Sequence, residues 1–274
     1  MPYAELPATS LFYERRGTGA PLLLIQGMSG TQASWGEPFL RALDREFDLV
    51  AYDHRGIGRS APWRTPFTIV DLAQDARALL DHLGWERAHV LGISMGGMVA
   101  QELALEHPER IRTLALGCTY CGGEQAALAG PEVLAMFRQA WGGGAAGPGG
   151  TPPTPPPGGE GLLGTLAAHL SSGTLARMAL AVPAPLGAIL LQLQAVGGHD
   201  TSARLPGLRV PTLVLHGTRD PVLPAANGEL IARLVPDARL ELLDGAGHLF
   251  WLEQPGRTVE LLREHARGSQ ATAA

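Results

Sequence analysis

Residues 90–97 have the sequence Val-Leu-Gly-Ile-Ser-Met-Gly-Gly, which contains the pattern G-x-S-x-G. A strand is predicted just before it, over Ala88–Ile93, and a helix just after it, over Met95–Glu106. A serine on such a sharp turn has strained backbone angles, and Gly92 and Gly96 leave room for the neighbouring strand and helix. The helix N-terminus also brings backbone N–H groups to the hydroxyl. The stretch therefore predicts a reactive serine, the alternative being a glycine-rich turn with an incidental serine.

Strand and helix patterns alternate on both sides of this turn. Further strands are predicted at Ser10–Arg15, Leu22–Gln26, Phe47–Asp53, Ile111–Gly117, Val210–His216 and Ala238–Leu243. Further helices are predicted at Pro38–Arg45, Thr68–Leu83, Pro224–Val235 and Pro255–Ala266. Thr68 and Asp71 have the spacing of a capping box, with aspartate in place of glutamate. The alternation predicts an α/β fold with a mostly parallel, doubly wound sheet covered by helices.

The pattern is interrupted after Cys121. Residues 142–161 contain 9 glycines and 6 prolines in 20 positions, which excludes a regular element there. Apolar helices are predicted around this loop, at Glu124–Trp141, Leu162–Val182 and Ala184–Val196. We therefore expect an α/β core over residues 1–120 and 205–274, split by an inserted helical cap over residues 121–204.

The composition excludes several classes of function. All 21 cationic residues of the 274 are arginine, so no lysine is present for a Schiff base or a Walker A loop. The net charge of −5 argues against a nucleic-acid partner. The apolar run Met178–Leu191 is shorter than the roughly 20 residues of a membrane span, so no membrane insertion is expected. The N-terminus lacks the features of a secretory signal, which predicts a cytoplasmic protein.

Three segments together resemble the α/β-hydrolase family, in particular its serine esterases and lactonases with a helical lid. The family's order of nucleophile, acid and histidine is matched by Ser94, by Asp220 in the stretch His216-Gly-Thr-Arg-Asp220, and by His248 in the stretch Asp244-Gly-Ala-Gly-His248. Each of the three follows a predicted strand. The resemblance implies a catalytic triad in which His248 accepts the serine proton and Asp220 orients the histidine.

The resemblance also implies two backbone donors for the oxyanion. One is the N–H of Met95, directly after the serine, and the other is the N–H of Met28 in the loop after the strand Leu22–Gln26. The family commonly has histidine at the position of Gln26, so the hydrogen bonding that supports this loop is expected to differ.

Other chemically active residues have a structural interpretation. His54 is expected to support its loop, His216 to be a core histidine, and Asp244 to point away from His248. Cys118 and Cys121 are too few for a structural zinc site, so packing is favoured over metal or redox chemistry, and no metal and no cofactor are expected.

The cap composition indicates the substrate. Only five charged residues occur between residues 122 and 199, which favours an apolar acyl or alcohol group. The expected pocket residues are Gly27, Trp35, Met136, Trp141 and Leu249, with packing the favoured role of Trp35. The predicted function is hydrolysis of a small to medium, largely apolar carboxylic ester or lactone. Alternatives are carbon–carbon bond hydrolysis or cofactor-free haloperoxidase or perhydrolase chemistry on the same triad and, more remotely, a ligand receptor with slow turnover. The expected partner is a small-molecule ester, and homo-oligomerisation stays open.

Overall fold

The computed structural model describes residues 2–127 and 184–271, which contain eight strands. The strands are β1 (Tyr3–Glu5), β2 (Ser10–Arg16), β3 (Ala20–Ile25), β4 (Phe47–Tyr52), β5 (Ala88–Ile93), β6 (Ile111–Gly117), β7 (Thr212–Gly217) and β8 (Arg239–Leu243). They form one sheet in the order β1-β2-β4-β3-β5-β6-β7-β8. Strand β2 pairs antiparallel with β1 and with β4, and every other neighbouring pair is parallel. The mostly parallel sheet confirms the predicted fold class.

Strand β5 lies in the interior of the sheet, between β3 and β6, and all of its residues are buried. Burial on both faces explains why its sequence is apolar apart from His89 rather than alternating. Because β3 and β5 to β8 are parallel, their carboxyl ends meet at one edge of the sheet. Ligand sites of open α/β sheets lie outside this edge, so the loops that follow these strands are where a site is expected.

Seven α-helices lie in the described ranges. They are α1 (Glu37–Leu43), α2 (Ile69–His82), α3 (Met95–Glu106), α4 (Leu186–Gly197), α5 (Ala226–Leu234), α6 (Phe250–Glu253) and α7 (Pro255–Ala271). Helix α3 packs against α2 and against strands β5 and β6, while α7 packs against α1 and β6. The capping box at the start of α2 is confirmed, because the Asp71 N–H donates to Thr68 Oγ1 and the Thr68 N–H donates to Asp71 Oδ2.

The structure contains one strand, β1, and one short helix, α6, that were not predicted, and it lacks the start of one predicted helix. Strand β1 was not predicted, since it is an edge strand of three residues and its partner β2 sets its pairing. The predicted helix Glu124–Trp141 does not begin at Glu124, because residues 124–127 form a turn and then irregular backbone. Three predicted parts of the cap lie outside the described residues: the remainder of that helix, the loop 142–161 and the helix Leu162–Val182. The predicted extent of the cap therefore stays a prediction.

The loop after β4 supports the loop after β3. Asp53 accepts hydrogen bonds from the N–H groups of Gln32 at 2.7 Å and Arg59 at 2.9 Å. His54 donates from Nε2 to the carbonyl oxygen of Gln26 at 2.9 Å. These contacts give His54 the structural role that the sequence predicts. They also hold the backbone of Gln26, which directly precedes Gly27 and Met28.

A buried ion pair holds the same loop against α2. Arg55 donates two hydrogen bonds of 2.6 Å to the carboxylate of Asp75, and both side chains are about one-twentieth exposed. The guanidinium also lies 4.2 Å from the centre of the Trp63 ring. A bidentate geometry of this kind is what compensates for taking two charges out of water.

Candidate active site

Ser94 lies where β5 passes into α3, with φ of 53° and ψ of −124°. A positive φ is unusual for any residue other than glycine, and such strain is concentrated at functional sites. The strained backbone is held at both of its polar groups. The Ser94 N–H donates to the carbonyl oxygen of Gly117 at 2.9 Å, and the Thr119 hydroxyl donates to the Ser94 carbonyl oxygen at 2.7 Å.

The two glycines of the turn are required by close backbone contacts. A Cβ atom at Gly92 would overlap the carbonyl oxygen of Gly96, and a Cβ atom at Gly96 would overlap that of Ile25. Any side chain at these positions would therefore push α3 away from β5 and β3. This is the steric reason for small residues two positions before and two positions after Ser94.

His248 and Asp220 are in direct contact. The histidine Nδ1 and the aspartate Oδ2 are 2.7 Å apart, and the ionised carboxylate can only accept, so Nδ1–H donates. This tautomer leaves Nε2 with a free lone pair. His248 follows β8 and Asp220 follows β7, and adjacent parallel strands bring them together across 28 positions of sequence.

Asp220 is oriented by hydrogen bonds to both of its carboxylate oxygens. Oδ1 accepts from the backbone N–H groups of Val222 at 2.8 Å and Leu223 at 3.0 Å. Oδ2 faces His248 and also lies 3.4 Å from Nε2 of His216, a fully buried histidine that donates to the Leu223 carbonyl oxygen at 2.8 Å. His216 is thus the core histidine that the sequence predicts, with an additional contact to the acid.

The two groups shift one another's pKa in opposite directions. Burial by itself raises the pKa of Asp220, but the His248 charge and the hydrogen bonds from His216, His248 and Leu223 outweigh it and hold this pKa below its ordinary value. Burial by itself lowers the pKa of His248, but the charge of Asp220 outweighs it and holds this pKa well above its ordinary value. The pair therefore favours a charged aspartate beside a histidine that takes up a proton readily.

The loop after β3 lies against Ser94. A Cβ atom built on Gly27 would be 3.1 Å from Ser94 Cβ and 3.6 Å from Ser94 Oγ. Three N–H groups of this loop are occupied: Gly27 donates to Gln26 Oε1 at 2.8 Å, Ser29 to Gln192 Oε1 at 2.8 Å, and Gly30 to the Gly27 carbonyl oxygen at 3.2 Å.

Two backbone donors are left over beside Ser94. Within residues 2–127 and 184–271, the N–H groups of Met28 and Met95 have no hydrogen-bond acceptor. These are the two donors that the sequence analysis assigned to an oxyanion. Gln26, where the family commonly has histidine, satisfies the Gly27 N–H with its own side chain, so the departure leaves the Met28 donor free.

Gln192 was not identified from the sequence, although it is fully buried and bonded to this loop. It lies on α4, in the segment that returns from the predicted cap to the core. Ser29, its partner, has a φ of 60°, so the hydrogen bond stabilises a strained residue directly after Met28. A glutamine within an apolar helix could have indicated a buried polar contact. However, Gln194 lies in the same helix and is exposed, so the sequence does not distinguish the two.

The remaining predicted residues have the following positions. Trp35 is fully buried, with its ring stacked on Phe39 and tilted against Trp251, in accordance with the favoured packing role. Leu249 follows His248 and is 9% exposed. Met136 and Trp141 lie outside the described residues. Asp244 accepts from the Thr218 hydroxyl at 3.2 Å, which directs it away from the histidine.

Cys118 lies at the centre of this group of residues. It follows β6, is fully buried, and has a φ of 38°. One ligand atom from each of Cys118, Asp220 and His248 lies within 4.8 Å of the other two, and burial raises the pKa of the Cys118 thiol. Cys121 is also buried, but its thiol instead contacts the Gly122 carbonyl oxygen at 3.6 Å.

No helix of the described ranges is long and apolar enough to cross a lipid bilayer.

The chain is similar in sequence to several named proteins. RutD of Azorhizobium caulinodans, which is named as a carbamate hydrolase, is 32% identical over 280 aligned positions that cover 96% of this chain and 97% of the relative. The poly(3-hydroxyalkanoate) depolymerase of Ectopseudomonas oleovorans is 32% identical over 235 positions, covering 84% of this chain and 78% of the relative.

Solved structures and a family model agree with these relatives. The enol-lactonase from Burkholderia xenovorans LB400 is 28% identical, with a TM-score of 0.78 and coverage of 96% of this chain and 99% of that one. A family model described as the α/β hydrolase fold matches residues 20–255, which is most of the sequence. The chain therefore belongs to the α/β hydrolase family.

Proposed function

We propose that this α/β hydrolase cleaves small to medium, largely apolar carboxylic esters or lactones through an acyl-enzyme on Ser94. The observation that carries the proposal is the hydrogen bond of 2.7 Å between His248 and Asp220, combined with two unoccupied backbone donors beside a strained serine. These are the parts that acyl transfer to a serine requires.

The first step uses the free lone pair of His248. Serine is a weak nucleophile until a base takes its proton, and Nε2 is the ring nitrogen left available when Nδ1–H donates to Asp220. As Ser94 Oγ attacks the carbonyl carbon, the proton passes to Nε2 and the imidazolium forms beside the aspartate. The charge of Asp220 stabilises that imidazolium without itself accepting the proton.

The second requirement is stabilisation of the negative charge that develops on the carbonyl oxygen. The N–H groups of Met28 and Met95 are assigned to this oxyanion, because neither has another acceptor in the described ranges. Met95 directly follows Ser94, and Met28 directly follows Gly27, which lies against Ser94. Donors that are in place before the reaction cost no reorganisation during it. His248 then donates its proton to the leaving alkoxide, and the acyl group stays on Ser94.

Water completes the cycle by the same route in reverse. Nε2 of His248 takes a proton from a water molecule that attacks the acyl-enzyme, the same two N–H groups hold the second oxyanion, and Ser94 regains its proton as the acid leaves. For a lactone the leaving alkoxide stays attached to the acyl chain, so the product is a single hydroxy acid. The low charge of residues 122–199 supports an apolar acyl or alcohol group.

The proposal is tested by covalent labelling with an alkyl fluorophosphonate. We expect one adduct per chain by intact mass, located on the peptide that contains Ser94, together with loss of p-nitrophenyl butyrate hydrolysis in proportion to labelling. A label on another residue, or hydrolysis that survives complete labelling, would contradict the assignment.

Carbamate hydrolysis is the second candidate, because a relative that is 32% identical over nearly the whole chain is named for it. The same serine would be carbamoylated instead of acylated. Parallel measurement of kcat/KM for p-nitrophenyl butyrate, acetate and carbamate separates the two. The ester proposal requires butyrate to exceed acetate and both to exceed the carbamate, and the reverse order favours the second candidate.

The contact between Gln192 and Ser29 gives a further prediction within this mechanism. Gln192→Met removes the acceptor of the Ser29 N–H and frees the loop that positions the Met28 donor. We expect kcat to fall about tenfold to a hundredfold with KM little changed, which is less than the 10²–10³ that follows removal of an oxyanion donor outright. Binding of an alkyl boronic acid, which mimics the tetrahedral intermediate, should weaken by the same factor as kcat.

Gln194→Met is the matched control, since it makes the same substitution on an exposed position of α4. It should leave kcat and boronate affinity at the wild-type values. Equal effects of the two substitutions, or a Gln192→Met variant with altered KM and unaltered kcat, would count against a role of Gln192 in positioning the oxyanion loop.

A further inference from the structure

Cys118, Asp220 and His248 form a cluster of metal-binding donors, of which the proposed hydrolysis uses Asp220 and His248 but not Cys118. One donor atom from each, a thiol sulfur, a carboxylate oxygen and a ring nitrogen, lie within 4.8 Å of one another. In the proposed mechanism Cys118 neither attacks the substrate nor moves a proton. Cys118 and Cys121 are neighbours in the sequence, but in the fold Cys118 lies close to Asp220 and His248.

The donor set indicates which ions the cluster would take. Thiolate and imidazole favour zinc and softer divalent ions, whereas Mg²⁺ and Ca²⁺ prefer oxygen ligands alone. Three protein ligands with one open position is also the arrangement of catalytic, rather than structural, zinc sites. Zinc–ligand bonds of about 2.0–2.3 Å place donors roughly 3.3–3.8 Å apart. Donor atoms that now lie up to 4.8 Å apart would therefore close by about 1.5 Å at most, while the Asp220 and His248 atoms, now 2.7 Å apart, would separate by about 0.6 Å.

The three side chains differ in how far they are buried and held. The Asp220 side chain is fully buried and held by two backbone N–H groups, so it offers a fixed carboxylate. Cys118 is fully buried as well, while the His248 side chain is 11% exposed and gives the ion its route of entry. A neutral thiol in such a place is a poor nucleophile toward reagents, but it can exchange its proton for a metal ion.

We propose that the Cys118–Asp220–His248 cluster reversibly binds a thiophilic divalent cation, Zn²⁺ or Cd²⁺, and that the bound ion inhibits the enzyme. Binding replaces the thiol proton, which passes to solvent, and involves no change of oxidation state. The imidazole gives a lone pair to the ion. If Nε2 binds, the base itself is occupied. If Nδ1 binds, its proton moves to Nε2, and again no lone pair faces Ser94.

Binding is measured first without reference to catalysis. Cd²⁺ is titrated into the full chain while the ultraviolet thiolate-to-cadmium charge-transfer absorption is recorded. We expect one Cd²⁺ per chain, reversal by EDTA, and no response to Mg²⁺. Ser94→Ala should give the same absorption, so this experiment remains valid if the proposed serine chemistry is wrong.

Two single-cysteine substitutions then locate the site. Cys118→Ala should abolish the absorption and raise the Cd²⁺ and Zn²⁺ concentrations for half-inhibition at least tenfold, each rate being taken relative to that variant without metal. Cys121→Ala, which removes a buried thiol three residues away, should leave both at wild-type values. No cadmium absorption in the wild type, unchanged inhibition of Cys118→Ala, or loss of binding in Cys121→Ala would overturn the proposal.

Discussion

Ser94→Ala is expected to lower kcat for p-nitrophenyl butyrate by about 10⁶-fold, the loss that follows removal of the nucleophile from a serine triad. Ser94, His248 and Asp220 act as a unit, so His248 and Asp220 cannot promote acyl transfer once the hydroxyl is absent. Any remaining hydrolysis would come from water activated beside the oxyanion donors, at about 10³–10⁴ times the uncatalysed rate. The measurement is steady-state hydrolysis with enzyme freshly purified away from host esterases.

The fold should tolerate this substitution. The hydrogen bonds that hold residue 94 are made by its backbone N–H and carbonyl oxygen, and alanine retains both. Alanine and serine are equally strained at a φ of 53°, so we expect the free energy of unfolding to change by less than about 0.5 kcal/mol. Ser10→Ala, on strand β2, is the matched control and should leave kcat unchanged. A Ser94→Ala variant that is folded and retains a tenth of wild-type activity would contradict the proposed nucleophile.

Asp220→Asn is expected to lower kcat by about 10⁴-fold through the tautomer of His248. Oδ1 of Asp220 accepts from the N–H groups of Val222 and Leu223, so the amide oxygen of asparagine takes that place. The amide NH₂ then faces His248 Nδ1, which must act as acceptor. The ring proton is forced onto Nε2, and the histidine can no longer accept the proton of Ser94.

The pH dependence gives a second readout of the same substitution. His248 works as a base only when neutral, so activity rises with pH as this group loses its proton. Asp220 raises the pKa of His248 in the wild type, and removing the negative charge lowers it. The acid limb of kcat/KM for Asp220→Asn should therefore move to lower pH. Asp244→Asn, whose carboxylate contacts Thr218 instead, should leave both kcat and the limb in place. An acid limb that is unmoved by Asp220→Asn would argue against Asp220 as the partner of His248.

Much of the fold could be predicted because it depends on local patterns, and the order of the site residues followed from the resemblance to the family. The turn around Ser94 is specified by glycines whose Cβ atoms would overlap backbone oxygens. Asp220 and His248 each follow an apolar strand, and parallel strands bring their carboxyl ends to the same edge. Capping of α2 by Thr68 and Asp71 is likewise contained within four consecutive residues.

The supporting contacts could not be predicted, since they join positions far apart in the chain. Gln192 and Ser29 are 163 residues apart, and only the packing of α4 decides that Gln192 rather than Gln194 faces the loop. Thr119 reaches Ser94 across 25 residues, and no local pattern around either residue indicates this hydrogen bond. The proximity of Cys118 to His248 depends on the pairing of β6 with β7 and of β7 with β8, and it cannot be derived from the Cys118–Cys121 spacing.

The attachments of the segment after residue 184 have a consequence for exchanging specificity between members of this family. Gln192 is bonded to Ser29, Thr201 to Gln101 at 2.6 Å, and Arg204 to Glu102. Residues 184–204 are therefore attached by hydrogen bonds to the part of the chain that contains the sheet. A chimera that imports another enzyme's cap should therefore be joined near residues 127 and 184. Joining it at residue 204 would discard Gln192, which is bonded to the loop that carries the proposed Met28 donor. On that proposal, the recipient would lose turnover for reasons unrelated to the new pocket.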